Sequence, residues 1–177
     1  MVEVCLSWYE IMLGGNTGVA RAVSAMRDKR KLEEKRTDDS IERHIHGAIS
    51  ELAVAKAFGI YWSPAVGRTD TEVGDIAGKF HVKSITNKNH CCIIRPNDPP
   101  EFPYVLVLLD LPMTYLMGWI EGTEGKNPIF WREANSTNTL HTSAFFVPQR
   151  ALKPMSQLTN PKNGVDFALQ YRASLQL

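Results

Sequence analysis

An acid and a lysine occupy neighbouring predicted strands in the segment from residue 73 to residue 84. The pattern predicts two short β-strands, residues 73–76 and 79–84, joined by a tight turn whose glycine supplies the positive φ that a hairpin needs. Asp75 lies on the first strand and Lys83 on the second, so their side chains can approach within a few ångströms. This arrangement is typical of divalent-metal sites that act on phosphodiesters, and a simple cross-strand ion pair is the alternative.

Glu51, a third candidate, lies on a helix predicted for residues 39–58. The polar segment Thr-Asp-Asp-Ser at its start is an N-cap signal, and Gly59 is a typical C-terminal stop. His44, Gly47 and Glu51 share one face, because residues three or four positions apart lie together on a helix. Taken alone, Glu51 has the pattern of a solvent-exposed helix glutamate. The expected core stripe of this helix comprises Ile41, Ile45, Ala48, Ile49, Leu52 and Ala53.

A basic cluster precedes that helix. Ser7 and Glu10 form a capping box, which predicts a first helix beginning at Trp8. Residues 21–36 then carry seven lysines and arginines against three acidic residues. One interpretation is a solvated helix end with ion pairs between successive turns. The other is a phosphate-binding cluster, for which the predicted nucleic-acid-binding residues are Arg27, Arg30, Lys31 and, on the second helix, His44.

The composition is typical of a soluble globular protein and predicts one domain covering residues 1–177. No apolar run approaches the length of a membrane span, so we expect no membrane association. The net charge of +1 makes no overall case for nucleic acid as a partner, although a local basic surface is compatible with one. The three cysteines lack metal-binding spacing, which favours reduced, buried thiols and a cytoplasmic location.

Apolar runs predict a sheet beside the two helices. The expected strands are residues 2–6, 91–95, 104–109, 114–120 and 145–147. The run at 104–109 is continuously apolar, which is typical of a central strand buried on both faces. Only about nine residues separate the strand ending at residue 95 from this run, too few for a crossover helix. The predicted fold class is therefore α/β (α+β), with a mixed central β-sheet flanked by helices.

Asp75, followed by His81-Val82-Lys83, resembles the core motif of the PD-(D/E)XK nuclease superfamily. In that motif an acid precedes a short hairpin, and an acid-x-Lys triplet lies on the next strand. The superfamily has a leading helix that carries a glutamate, and Glu51 matches that residue here. The resemblance implies a restriction-endonuclease-like core for the predicted sheet.

The segment 47–149, a little over half of the chain, also resembles a group of small phage-encoded proteins. The resemblance rests on an ordered set of short motifs. The set comprises the Glu-Leu-Ala of the helix, the Val-Lys of the hairpin, Arg95-Pro96-Asn97-Asp98, Gly118-Trp119-Ile120 and Phe146-Val147-Pro148-Gln149.

The resemblance implies a site for Mg²⁺ or Mn²⁺. Glu51 and Asp75 would supply carboxylate ligands and Val82 a backbone carbonyl, because hard cations prefer oxygen. Lys83 would lie beside the scissile phosphate, orienting the attacking water and offsetting negative charge. His81 departs from the motif, which expects an acid or glutamine there. As a catalytic residue and metal ligand it would bring an imidazole, which suits transition metals better than Mg²⁺.

The function that these observations predict is metal-dependent hydrolysis of DNA phosphodiester bonds, in the host cytoplasm if the chain is phage-encoded. A nucleic-acid-binding protein that has lost part of the metal site is one alternative, favoured by His81. A structural protein of a phage particle is another, favoured by exposure expected for Trp119 and Trp131. Pairing into a homodimer stays open, as does the choice between DNA and RNA.

Overall fold

Two helices of the described residues, α1 and α2, pack against each other. The computed structural model describes residues 1–27, 41–67, 75–76, 79–134 and 143–158. In it α1 spans Trp8–Arg27 and α2 spans Ile41–Ala57. The backbone N–H of Ser7 donates to the Glu10 carboxylate at 2.6 Å, and the N–H of Glu10 donates to the Ser7 hydroxyl at 3.3 Å. The predicted capping box and the start of α1 are therefore confirmed.

The C-terminus of α2 is closed by Gly59, which has a φ of +59°. The backbone N–H of Ile60 donates to the carbonyl of Ala55 at 3.0 Å, and that of Gly59 donates to Lys56 at 3.1 Å. This pair of bonds is a Schellman motif, which needs a left-handed residue at the position that glycine fills. The predicted stop signal is therefore confirmed.

Glycines on α1 allow the two helices to approach closely. A Cβ atom at Gly14 would lie 2.8 Å from the Ile49 side chain, and one at Gly18 would collide with the backbone of Ile45. The helix continues through both positions. The glycines therefore admit a close neighbour and do not interrupt α1.

The main sheet has the strand order β1-β5-β4-β2. Its strands are β1 (Val2–Cys5), β2 (His81–Ile85), β4 (Pro103–Asp110) and β5 (Met113–Glu121). Strands β2 and β4 are parallel, whereas the other pairs are antiparallel. Tyr104 to Val107 are fully buried on β4, so the predicted central strand is confirmed.

The connection between parallel strands β2 and β4 carries a strand instead of a helix. Strand β3 (Cys92–Ile94) lies in this connection and pairs with β7 (Ala144–Val147). With β6 (Trp131–Arg132) they form a second sheet of order β3-β7-β6. The short segment between β3 and β4 contains no helix, which confirms the predicted absence of a crossover helix there.

The two faces of β4 belong to two separate cores. Val105 and Val107 pack with the helices, whereas Tyr104 and Leu106 pack with the second sheet. Side chains alternate along a strand, so neighbouring residues of β2 are divided in the same way. The combination of helices and mixed sheets confirms an α+β fold. The restriction-endonuclease-like core stays a prediction.

Several predictions of exposure are wrong. Trp119 is buried, because its indole packs among main-core residues, whereas Trp131 is at the surface as expected. All three cysteines are free thiols. Cys92 is fully buried as predicted, whereas Cys5 is exposed. Ile41 is exposed at the first turn of α2 and is not part of the core. No helix in the described part of the chain is long and apolar enough to cross a membrane.

The close helix contact predicts opposite effects of alanine at two neighbouring glycines. Gly18→Ala should lower the free energy of unfolding by about 1–3 kcal/mol, since its methyl group meets the Ile45 backbone. A Cβ at Gly15 meets nothing within 4 Å, so Gly15→Ala should raise that free energy by about 0.5–1 kcal/mol. Urea denaturation measures both, and equal stability of the two variants would contradict the packing.

Candidate functional site

Asp75 lies at a short hairpin that leads into β2. The backbone N–H of Ile76 donates to the carbonyl of Phe80 at 3.3 Å, and that of Lys79 donates to Ile76 at 2.9 Å. Ile76 and Phe80 form an antiparallel bridge. Residues 73–74 and 77–78 lie outside the described residues. Pairing between the predicted strands 73–76 and 79–84 is therefore tested only at this bridge. Here Asp75 sits beside the first residues of β2.

The Asp75 carboxylate contacts two residues of β2. Its Oδ2 accepts a hydrogen bond from the backbone N–H of Val82 at 2.9 Å and lies 3.4 Å from Nδ1 of His81. Burial raises the pKa of Asp75, but the His81 hydrogen bond, the Val82 amide and the charge of Lys83 outweigh it. The pKa of this carboxyl is therefore lowered, and the group is ionised at neutral pH.

Glu51 is held between the helices by an arginine. Both of its carboxylate oxygens accept hydrogen bonds from Nη1 of Arg21, at 2.7 and 2.8 Å, and Oε2 also accepts from Nε1 of Trp62 at 3.0 Å. Its side chain is only 12% exposed, so the interpretation as a solvent-exposed glutamate is wrong.

The pKa of Glu51 is raised from its ordinary value. Burial is the largest cause, the negative charge of Asp75 adds to it, and Arg21 and Trp62 oppose it. The repulsion by Asp75 means that the two carboxylates lie within electrostatic range of each other. These two acids, which are far apart in the sequence, therefore face a common region.

Lys83 forms its ion pair with Asp98 instead of with Asp75. The ammonium group contacts Oδ2 of Asp98, which also accepts the backbone N–H of Arg95 at 2.8 Å. The Nζ atom lies 5.3 Å from the ring centre of Tyr104. A simple Asp75–Lys83 ion pair, the alternative from the sequence, is therefore not what the structure contains, although Lys83 still lowers the pKa of Asp75.

His81 is enclosed by aromatic side chains. Its ring stacks on Tyr104 with centroids 5.2 Å apart and meets Phe102 edge-on at the same separation. The residue is 9% exposed. Its Nε2 atom is buried without a hydrogen-bond partner among the described residues, whereas Nδ1 faces Asp75. His81 is thus a core residue with one polar atom directed at the site.

The predicted metal ligands meet only in part. Glu51 and Asp75 interact electrostatically, and His81 and Val82 both contact Asp75. Within the residues that the structure describes, no three His, Cys, Asp or Glu side chains lie close enough together to hold a metal ion. A cation bound by Glu51 must share its oxygens with Arg21, since both already accept from that guanidinium.

The predicted nucleic-acid-binding residues are only partly described. Arg27 is exposed in the last turn of α1, and His44 is half-buried on α2. Arg30 and Lys31 lie outside the described residues. The proposed cluster therefore stays a prediction.

Three residues of the site were not among the sequence candidates: Arg21, Trp62 and Asp98. Arg21 belongs to the basic run but carries no local signal that separates it from its neighbours. Trp62 lies in an extended segment without a recognisable motif. Asp98 had a signal, because it closes the Arg95-Pro96-Asn97-Asp98 motif. Its partnership with Lys83 depends on the crossover between β2 and β4, which local pattern does not reveal.

No family model, no curated protein and no solved structure matches the chain. The relationship to PD-(D/E)XK nucleases therefore stays a prediction, carried by Glu51, Asp75 and Lys83.

The Arg21–Glu51 pair predicts a pH-dependent loss of stability when the arginine is removed. Arg21→Ala should lower the free energy of unfolding by about 2 kcal/mol at neutral pH, because it leaves a desolvated carboxylate without its main donor. Glu51 then has a folded-state pKa raised further above its unfolded value of about 4.3. Below that value the penalty should therefore shrink to the part that comes from the lost hydrogen bond to Ala65, and it should grow as pH rises through the folded-state pKa.

The matched control is Lys56→Ala. The pair of Lys56 with Glu10, at 2.7 Å, also joins α1 and α2, but its groups are more exposed. We expect a loss of at most about 1 kcal/mol there. Denaturant titrations across pH measure both variants. An Arg21→Ala penalty that is equally large in acid would contradict the assignment to ionised Glu51.

Proposed function

We propose that the protein is a metal-dependent nuclease that hydrolyses phosphodiester bonds of DNA. Glu51 and Asp75 would hold Mg²⁺ or Mn²⁺, and Lys83 would act on the phosphate. The observation that carries the proposal is that Asp75 interacts electrostatically with both of the other two charges. Asp75 raises the pKa of Glu51, while Lys83 lowers the pKa of Asp75. Glu51, Asp75 and Lys83, from separate elements, are thus coupled through Asp75, while His81 occupies the position of the motif's remaining acid.

Two carboxylates that repel each other form a region where a hard cation is favourable. A bound cation would neutralise phosphate charge and lower the pKa of the attacking water. Val82 supports this arrangement through its backbone N–H, which holds Oδ2 of Asp75 in place. Its carbonyl stays a proposed third ligand.

Arg21 and Asp98 hold the charged groups of the site in fixed positions. Arg21 restrains Glu51 and is itself anchored, since its Nε donates to the carbonyl of Ala65 at 3.0 Å. Asp98 restrains the ammonium group of Lys83. In the proposed reaction Lys83 orients the attacking water and offsets the negative charge that develops on the phosphate. A lysine that is already held in place needs little rearrangement when that charge develops, so little free energy is spent on reorganisation.

His81 occupies the position where the motif has an acid. Its Nδ1 atom faces Asp75, and its Nε2 atom is enclosed by aromatic rings. We infer that His81 contributes chiefly by orienting the Asp75 carboxylate. If it also binds the metal, Nδ1 is the atom that faces the site.

The proposed partner is DNA, bound in part by Arg27, Arg30, Lys31 and His44 through its phosphates. This substrate agrees with the cytoplasmic location that the cysteine pattern predicts. A homodimer would bring two sites to one duplex.

A second candidate function is binding of nucleic acid without cleavage. The specific observation in its favour is that Arg21 already occupies both oxygens of Glu51, as a bound cation otherwise would. With a histidine in the motif's acid position, the site also has one negative charge fewer than the motif requires. Binding of labelled DNA without cutting, in the presence of Mg²⁺ or Mn²⁺, would favour this candidate.

Plasmid cleavage should require Mg²⁺ or Mn²⁺ and stop when chelator is added, because the cation activates the water. Glu51→Gln and Asp75→Asn should each abolish cutting. Lys83→Ala should lower the rate by about two orders of magnitude, the usual value of one preorganised charge. The matched control is Glu10→Gln, which removes a carboxylate from the same helix pair and should cut normally. Undiminished cleavage in excess chelator would contradict the metal site.

Substitution of His81 tests its relation to the metal. His81→Glu restores the motif's carboxylate and should shift the metal preference toward Mg²⁺, whereas His81→Ala should weaken binding of either metal. The metal concentration for half-maximal cleavage measures this in wild type and both variants. Identical half-maximal concentrations in all three proteins would place His81 outside the metal site.

A further inference from the structure

The outward face of α1 is apolar and exposed along its whole length. Seven of the fifteen large hydrophobic side chains that are exposed in the described part of the chain belong to this one helix. Tyr9, near its start, is 80% exposed, and Met26, near its end, is 58% exposed. Single exposed apolar residues are ordinary, whereas a continuous apolar face is typical of an interaction surface.

Five of these seven residues, together with the exposed Asn16, follow a heptad spacing with steps that alternate between three and four positions. We call them the α1 stripe: Tyr9, Met12, Asn16, Val19, Val23 and Met26. The opposite face, with Gly14 and Gly18, packs against α2, so the stripe does not belong to the core of this chain. Such a spacing is typical of a helix that packs along a second helix.

We propose that the α1 stripe is the surface through which two copies of this chain associate, with the two α1 helices antiparallel about a twofold axis. The stripe is symmetric about its midpoint between Asn16 and Val19. An antiparallel copy therefore brings Tyr9 to Met26 of the partner subunit and Met12 to Val23 of the partner subunit. A twofold interface uses the same patch on both subunits, which requires this kind of self-complementarity.

The helix dipoles favour the antiparallel arrangement. Glu10, in the first turn of α1, is paired with Lys56 of α2 on the face away from the stripe and does not contribute. Antiparallel packing brings the partial positive charge at the N-terminus of one α1 beside the partial negative charge at the C-terminus of the other, whereas parallel packing brings like partial charges together. Electrostatic complementarity of the helix ends thus adds to the symmetry of the stripe.

The chemistry of the stripe fits another protein surface better than a nucleic acid or a membrane. Residues 11–20 contain no charged side chain, and Arg21 is directed inward to Glu51. Nucleic acid requires cations for its phosphates, and interfacial membrane helices carry lysine and arginine on their polar face. Asn16 is the polar residue of the stripe, and one such residue in an apolar heptad seam serves pairing specificity.

The dimer should dissociate on dilution. A helix of this length extends about 30 Å, and pairing along it alone gives an interface near the small end of specific complexes. This proposal does not rest on the nuclease function, since no stripe residue contacts Glu51, Asp75 or Lys83 among the contacts described.

Sedimentation velocity of the full chain over a range of concentrations tests the association. Wild type should form a dimer. The variant Met12→Glu/Val23→Glu should be monomeric, because its carboxylates would face one another across an apolar interface. Its circular dichroism and Tm should match those of wild type, since both positions are exposed. The control Ile129→Glu changes a side chain that is 77% exposed outside α1, and it should stay dimeric.

A wild-type chain that is monomeric at every concentration would overturn the proposal. So would a Met12→Glu/Val23→Glu variant that dimerises as tightly as wild type. Residues 159–177 of the same chain are the other candidate occupant. If wild type is a monomer and becomes a dimer only when residues 159–177 are deleted, those residues cover the α1 stripe in wild type. That result would overturn the proposal that two copies pair through the stripe.

Disulfide trapping tests the orientation, in a Cys5→Ser background that removes the exposed thiol. Tyr9→Cys/Met26→Cys should form a covalent dimer on mild oxidation. Tyr9→Cys alone should not, because the two introduced thiols lie at opposite ends of an antiparallel pair. Efficient cross-linking of Tyr9→Cys alone would overturn the antiparallel arrangement.

Discussion

The ion pair between Arg21 and Glu51 ties the packing of the helices to the geometry of the site. Taking a carboxylate out of water is costly unless a cation and hydrogen bonds compensate it. Arg21 can do so because α1 lies very close to α2, and this closeness depends on Gly14 and Gly18. The same arginine donates a hydrogen bond to the carbonyl of Ala65, so it also anchors the segment that follows α2. The packing of α1 on α2, the path of the chain after α2 and the compensation of the Glu51 charge therefore all depend on Arg21.

The parallel pairing of β2 with β4 divides the candidate residues between two cores. Phe80 and Val82 pack toward the helices, whereas His81 lies against Tyr104 on the side of the second sheet. Lys83 shares that side with His81, because side chains alternate along β2. Asp75 lies in the hairpin that precedes β2 and interacts electrostatically with Glu51 on the helix side and with Lys83. This position makes it central to the electrostatics of the site.

Sequence signals predicted the features that depend on neighbouring residues. The capping box at Ser7, the glycine stop after α2 and the apolar central strand all rest on local chemistry, and the structure contains them. The partners of Glu51 and Lys83 depend on how distant segments meet, and residue type alone does not determine them. The burial of Trp119 was missed for the same reason, since its indole donates to the carbonyl of Pro154 far along the chain.

The strand within the crossover has a consequence for how the lysine is controlled. Asp98, which holds Lys83, follows β3, and β3 is kept in place by its pairing with β7 in the second sheet. Cys92, Ile94 and Val147 of this pair are fully buried in the second core, which also contains Tyr104 and Leu106 of β4. The packing of the second core therefore fixes the position of the carboxylate that holds Lys83. A cavity made in that core would alter the restraint on the lysine, although none of the core residues belongs to the candidate site.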